Sequence, residues 1–245
     1  MKPAYGARPP MNDDLAALDN FKGTARLFPL PNLVLFPYVV QPLHIFEPRY
    51  RQMTRDALAA DRLIAMVLLR PGWEADYQGR PSLHSVACLG RVLAEQRLDD
   101  GRYNLLLRGL RRVRILEEIP TEALYRTAHV ELLADQPPAD GKVRRDLRRR
   151  LAETVPVWFA GQAKVIAQFQ KLFQGELDLG TLCDVLSFAL PLDIEFKQTL
   201  LATLSVEDRV RRLLRQLAAQ KPPALAAAPA PAEAPRKFPP EFSSN

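Results

Sequence analysis

The 245-residue chain has few of the residues that metal and redox chemistry draw on, with two cysteines and three histidines. Cys88 and Cys183 cannot build a disulfide framework, which points to a reducing compartment and a cytoplasmic protein. His44, His84 and His129 stand apart in separate strand-like segments, so no metal site is expected. The 11 glycines are scattered; none opens a G-x-G-x-x-G or precedes Lys-Ser or Lys-Thr. A phosphate-cradling loop is thereby excluded, and no cofactor is expected. Serine-nucleophile patterns are missing too: there is no G-x-S-x-G elbow and no S-x-x-K pair. No apolar run approaches the roughly 18 residues of a membrane span. The opening MKPAYGARPPMNDD has no apolar stretch of the kind a secretory signal carries. These absences describe a soluble chain without an active site, one that binds rather than transforms.

What is present suffices for a core and a solvated surface: 47% apolar residues, 25% charged, and a net charge of +6. Proline divides the chain. Seven of the 22 prolines lie between Pro222 and Pro240 in an Ala-rich stretch that cannot bury enough apolar surface to offset its ordering entropy. Residues 221–245 are therefore expected to be a disordered tail. Residues 1–22 read as a flexible N-terminal segment, in which Leu15, Leu18 and Phe21 offer a short turn that docks on the body. The folded part divides at Pro137-Pro138, with 23–135 as a β-rich unit, 136–141 as a linker and 142–220 as a helical bundle.

In the first unit, apolar runs at 27–30, 43–46 and 63–69 read as strands. Residues 91–98 and 102–108 flank Asp99-Asp100-Gly101, whose glycine supplies the positive φ of a tight hairpin. Gly109 interrupts the pattern before a further strand at 111–116, suggesting a bulge or corner. In 124–132, Leu124, Ala128, Val130 and Leu132 alternate onto one face as a half-buried strand, with Tyr125 on the other. One helix is expected from Pro48, with Tyr50, Met53, Ala57 and Leu58 on one face. In the second unit, Val143, Leu147, Leu151, Val155 and Trp158 form a helical stripe restarted near Pro156, and Val165, Phe169 and Leu172 extend it. Thr181 with Asp184, and Ser205 with Asp208, each fit a capping box at a helix start, and a short helix runs between them from Ile194.

Two basic clusters invite a nucleic-acid reading: the run 142–150, and Arg108, Arg111, Arg112 and Arg114. The first is not interleaved with aromatic residues, so a solvated face is its simpler reading, and the second carries the same ambiguity. Cys88 and Cys183, among apolar neighbours, read as small buried hydrophobes.

Three segments in order carry a family resemblance: LFPLPNLVLFPYVVQPLHIFEPRYR (27–51), LGRVLAEQRLDDGRYNLLLRGLRRVRILEE (89–118) and DVLSFALPLDIEFKQTLLATLSVEDRVRRLL (184–214). Together they resemble the Lon protease N-terminal domain family across about residues 24–220. The resemblance implies an α+β fold: a PUA-like β-rich pseudo-barrel with one helix, followed by a C-terminal α-helical bundle. It also implies recognition of protein substrates, without the ATPase and peptidase domains that carry Lon's chemistry. The expectation is a non-catalytic module that binds unfolded or specific client polypeptides, as an adaptor or chaperone-like factor in protein quality control. RNA binding on a basic barrel surface is the alternative. For polypeptide contacts the candidates are Phe36 and Tyr38, in a proline-bounded loop that also holds Val39 and Val40, and Trp73 and Tyr77, in the turn-rich segment 71–81.

Overall fold

A computed structural model describes residues 17–220 apart from Gln78; the tail at 221–245, and Leu15 with most of the N-terminal segment, lie outside the described residues. Six strands come first: β1 (Thr24–Leu30), β2 (Val40–Ile45), β3 (Leu63–Leu68), β4 (Val86–Arg97), β5 (Tyr103–Ile119) and β6 (Thr127–Leu133), with helix α1 (Pro48–Leu58) between β2 and β3. Five helices follow: α2 (Gly141–Thr154), α3 (Ala163–Gln174), α4 (Leu179–Ala189), α5 (Ile194–Ala202) and α6 (Val206–Ala219). The chain is thus α+β, with the helices gathered at its C-terminal end.

The strands close on themselves. β1 pairs with β3 in parallel, and β3–β4, β4–β5, β5–β6 and β6–β1 are antiparallel, so five strands form a ring. β2 stands outside it, paired only with the first half of β5. Alternation along the strands sends one set of side chains into the ring and the other outward. The inward cluster draws on all five ring strands, with Leu27, Ala65, Val67, Leu89, Val113 and Val130 among its members. Leu18 and Phe21 pack against that cluster. The outward set, including Phe28, Met66 and Cys88, joins α1 and the C-terminal helices in one larger core. All six residues of β3 are buried, because the ring covers one face and the helical layer the other.

Two strand assignments need correction. The strands expected at 102–108 and 111–116 are one continuous strand, β5. The bulge or corner expected at Gly109 is a bulge: Gly90 faces Gly109 while Leu89 faces Arg111, which leaves Leu110 as the extra residue. The bulge also anchors the preceding loop, since the Tyr38 amide donates to the Gly109 carbonyl at 2.7 Å and the Gly109 amide to Val39 at 2.9 Å. A Cβ at Gly109 would sit 2.1 Å from the Phe36 carbonyl oxygen, so only glycine fits there. In the last strand Leu124 and Leu132 are exposed, whereas Tyr125 and Leu133 are buried. β6 begins three residues later than the alternation suggested, and its end turns the other face inward.

The helical half follows its apolar spacing. Leu147, Leu151, Val155 and Trp158 are buried along α2 and a 3-10 turn that starts at Val155, next to Pro156. Ser205 caps α6, its hydroxyl accepting from the Asp208 amide at 3.2 Å. Thr181 is not a cap. α4 begins one turn earlier, where the Asp178 carboxylate accepts from the Thr181 amide at 2.9 Å. Asp184 is thereby freed for another task. It lies fully buried and grips Arg112 of β5 through two bonds, Nη1 to Oδ2 at 2.8 Å and Nη2 to Oδ1 at 2.6 Å. Arg209 of α6, also fully buried, approaches Asp184 Oδ1 with its Nε at 3.2 Å and bonds Asp135 through both terminal nitrogens. Arg112 adds a bond from Nε to the Leu201 carbonyl at 2.8 Å. Two guanidinium groups and two carboxylates therefore tie β5 to the end of β6, α4, α5 and α6. The segment after β6 joins them: the Gln136 amide donates to the Leu204 carbonyl at 3.0 Å, and the Val206 amide donates to the Gln136 carbonyl at the same distance.

Candidate functional site

Pro48 sits in the first turn of α1, where its missing amide costs nothing, and turns the chain sharply out of β2. That corner, the loop after β1 and the 3-10 turn Trp73–Asp76 surround a groove of about 510 Å³. Its walls include Leu33, Leu43, Phe46, Trp73 and Tyr77, with Asn32, Gln41, His44 and Glu47 as the polar members. Phe46 is 41% exposed, a large apolar side chain open to solvent. Gly72 enters the 3-10 turn at φ 89°, a left-handed conformation that glycine adopts without strain. The Trp73 and Tyr77 rings meet edge to face with centroids 5.5 Å apart, a favourable aromatic geometry.

A polar strut holds this wall. The Tyr77 hydroxyl donates to Glu47 Oε1 at 2.9 Å, and Arg49 Nε donates to Glu47 Oε2 at 3.0 Å. The Arg49 guanidinium lies over two aromatic rings, 4.6 Å from the Tyr50 centroid and 4.8 Å from that of Tyr77. Tyr50 closes the floor: its ring touches Phe28 at 4.5 Å, and its hydroxyl donates to the Pro29 carbonyl at 2.9 Å. Burial raises the Tyr77 phenol above its ordinary pKa, and the bond to Glu47 adds to the effect. The phenol therefore stays a neutral donor.

β2 forms the other side, and its outer edge is blunted. Because the Gly109 amide donates to Val39, the bonding residues that follow toward β5 are Gln41, Leu43 and Ile45, which leaves Val40, Pro42 and His44 facing outward. Pro42 has no amide to offer, and the Gln41 side-chain amide donates to the Pro42 carbonyl at 2.8 Å. A strand added here would lose its central bonds, so the groove recruits side chains rather than extending the sheet.

The four expected contact residues separate. Trp73 and Tyr77 line the groove together. Phe36 is fully buried in the larger core. Tyr38, 50% exposed at φ 65°, belongs to a different recess beside Asp135 and Asp184. Leu33 and Phe46 were not singled out from the sequence, although each adjoins a segment that was. Their apolar character carried no information about exposure.

Members of both basic clusters do internal work. Arg112 is the buried partner of Asp184. Arg148, in the run 142–150, caps the C-terminal end of α3 by donating to the carbonyls of Phe173 at 2.8 Å and Gly175 at 2.6 Å. Arg149 pairs with Asp146 and Glu153 on its own helix. Both cysteines are buried, and desolvation pushes each thiol up to about 12, against the pull of Arg112 on Cys88 and of Arg209 on Cys183. Among the described residues no three His, Cys, Asp or Glu side chains converge as a metal site. No helix among them is long and apolar enough to cross a membrane.

A closed five-strand ring with an attached edge strand, a packed helical layer and an aromatic-walled groove define an α+β domain. The family model described as the ATP-dependent protease La (LON) substrate-binding domain matches residues 24–219, and the chain belongs to that family. It is 29% identical over 207 residues to Lon protease 2 of Herpetosiphon aurantiacus, covering 83% of this chain and 25% of that one. To Lon protease 2 of Myxococcus xanthus it is 26% identical, covering 78% and 23%. The chain thus spans about a quarter of the length of these relatives. Among solved structures, the N-terminal domain of Mycobacterium avium complex Lon protease shares the fold with a TM-score of 0.62 at 16% identity, covering 80% of this chain and 98% of that one. A Lon N-terminal domain protein from Xanthomonas campestris does so at 0.54 and 22%, covering 78% and 97%.

Proposed function

We propose that this chain is a non-catalytic module that binds segments of other polypeptides in the groove between β2, α1 and the Trp73–Asp76 turn. The observation that carries the reading is the groove itself, apolar across its walls and held open by the Glu47, Arg49 and Tyr77 strut. Membership of a substrate-binding family supports the same conclusion. Trp and Tyr on a rigid support are the side chains that most often carry binding energy at interfaces. Such a module serves as an adaptor or chaperone-like factor in cytoplasmic protein quality control. The internal employment of Arg112 and Arg148 supports polypeptide over RNA.

The test is fluorescence anisotropy with a labelled, permanently unfolded polypeptide and with single-stranded RNA, each at low and high salt. Polypeptide binding should persist in salt, because apolar contact is not screened. Trp73→Ala should weaken it about tenfold or more, the cost of losing a central anchor. Unchanged affinity in Trp73→Ala, or RNA binding that outlasts polypeptide binding, would overturn the assignment.

A further inference from the structure

Behind the groove lies a second, smaller recess of about 180 Å³, and Tyr50 and Tyr77 line both. Among the described residues its lining contains three arginines, Arg49, Arg80 and Arg126, and no carboxylate. The acidic partners stand outside the lining. Glu47 neutralises Arg49 at 2.9 Å. Glu118 is shared: it accepts from Arg126 Nε at 2.8 Å and Arg126 Nη2, and from Arg80 Nη2 at 2.8 Å. The Arg126 bond, with Arg80 behind it, holds the Glu118 carboxyl below its ordinary value, so its single charge serves two guanidinium groups. Asp76 also lies outside the lining, its carboxylate turned to the Arg80 backbone amide at 3.1 Å.

The donor inventory is equally uneven. A guanidinium offers five N–H donors. Arg126 spends its bonds on Glu118 and the Pro81 carbonyl. Among the described residues the Arg80 guanidinium makes one hydrogen bond, to Glu118, and its side chain is 60% exposed. The recess thus offers an unspent fork of donors beside an apolar groove.

From this we infer that the recess takes a carboxylate of the polypeptide whose apolar side chain fills the groove, so that clients with an anionic group next to a bulky apolar residue bind best. The inference rests on the groove being the polypeptide site. Arg80 contributes the attraction, Arg126 and Glu118 hold it in place, and the shared Tyr77 wall makes the two subsites adjacent. Planar guanidinium and carboxylate groups match in bidentate geometry, which adds orientation as well as affinity. A chain-terminal carboxylate and an Asp or Glu side chain supply the same chemistry.

The experiment measures the affinity of the full chain for fluorescent peptides sharing one aromatic-aliphatic core. One ends in a free acid, one in an amide, and two are amidated with Asp or Asn beside the core. The free acid should bind about fivefold tighter than the amide, and Asp tighter than Asn if side-chain carboxylates are also accepted. Arg80→Ala should erase these differences, and Arg80→Glu should invert them; the side chain is exposed, so neither change disturbs the core. Equal affinity for all four peptides, with binding still lost in Trp73→Ala, would overturn the recess while leaving the groove intact. Binding of no peptide, or binding indifferent to Trp73, would overturn both.

Discussion

The buried cluster of Arg112, Asp184, Arg209 and Asp135 allows a sharp test of how the helical half is held to the barrel. Asp184→Asn keeps the volume of the side chain but removes the charge that Arg112 grips at 2.6 and 2.8 Å and that Arg209 approaches at 3.2 Å. Two buried guanidinium groups would then share Asp135, and the new amide would direct donors at donors. Removing one partner of a buried pair costs about 3–5 kcal/mol, because the remaining charge stays desolvated. With a urea slope of about 2–3 kcal/mol per molar for a chain of this size, the unfolding midpoint should fall by about 1–2.5 M. Circular dichroism and tryptophan fluorescence follow the transition, with Trp73 reporting from the barrel and Trp158 from the helices. The double variant Arg112→Met with Asp184→Leu removes one charge of each sign and leaves Arg209 with Asp135. It should be closer to wild type than Asp184→Asn, since an apolar pair can replace an ion pair nearly without loss. A midpoint shift below about 0.5 M for Asp184→Asn, or a double variant worse than the single, would refute the reasoning.

Two further outcomes follow from the packing. Gly109→Ala drives a methyl group to 2.1 Å from the Phe36 carbonyl, so the loop carrying Tyr38 must lift from β5. A loss of about 2 kcal/mol in urea unfolding is expected, and a variant as stable as wild type would show that the loop is not clamped there. The two thiols give a pH dependence. Burial raises both from the usual 9.0 to about 12, so the folded state holds protons that the unfolded state releases between those values. Their contribution is complete below about pH 9 and is lost as pH rises toward 12. The urea midpoint should therefore drop more between pH 8 and pH 10.5 in wild type than in a Cys88→Ala, Cys183→Ala variant; equal drops would contradict the assigned shifts.

Much of the local structure was legible along the chain. Pro48 and the spacing of Tyr50, Met53 and Ala57 specify α1 and its buried face, and the stripe from Leu147 to Trp158 does the same for α2. Gly101, at φ 81°, makes the hairpin between β4 and β5 as Asp99-Asp100-Gly101 suggested. The apolar period reports which side of an element faces inward, because the backbone repeat alone decides that. It does not report partners. Gly109 reads locally as a bulge or a corner, and β4 running alongside both halves of β5 decides for the bulge and keeps the strand whole.

The charges and the groove depended on contacts between distant segments. Asp184 after Thr181 has the spacing of a cap, and Arg112 among other arginines looks like a surface group. Only the packing of α4 against β5 makes them each other's counter-ion. Likewise Trp73 and Phe46 are separated by 27 positions in the chain and share a wall only once the barrel has closed. Periodicity, capping and proline act within a turn or two of the backbone and are written in neighbouring residues. Ring closure, charge compensation and concavity depend on which surfaces meet, and that was decided by the lowest-energy packing of the whole chain.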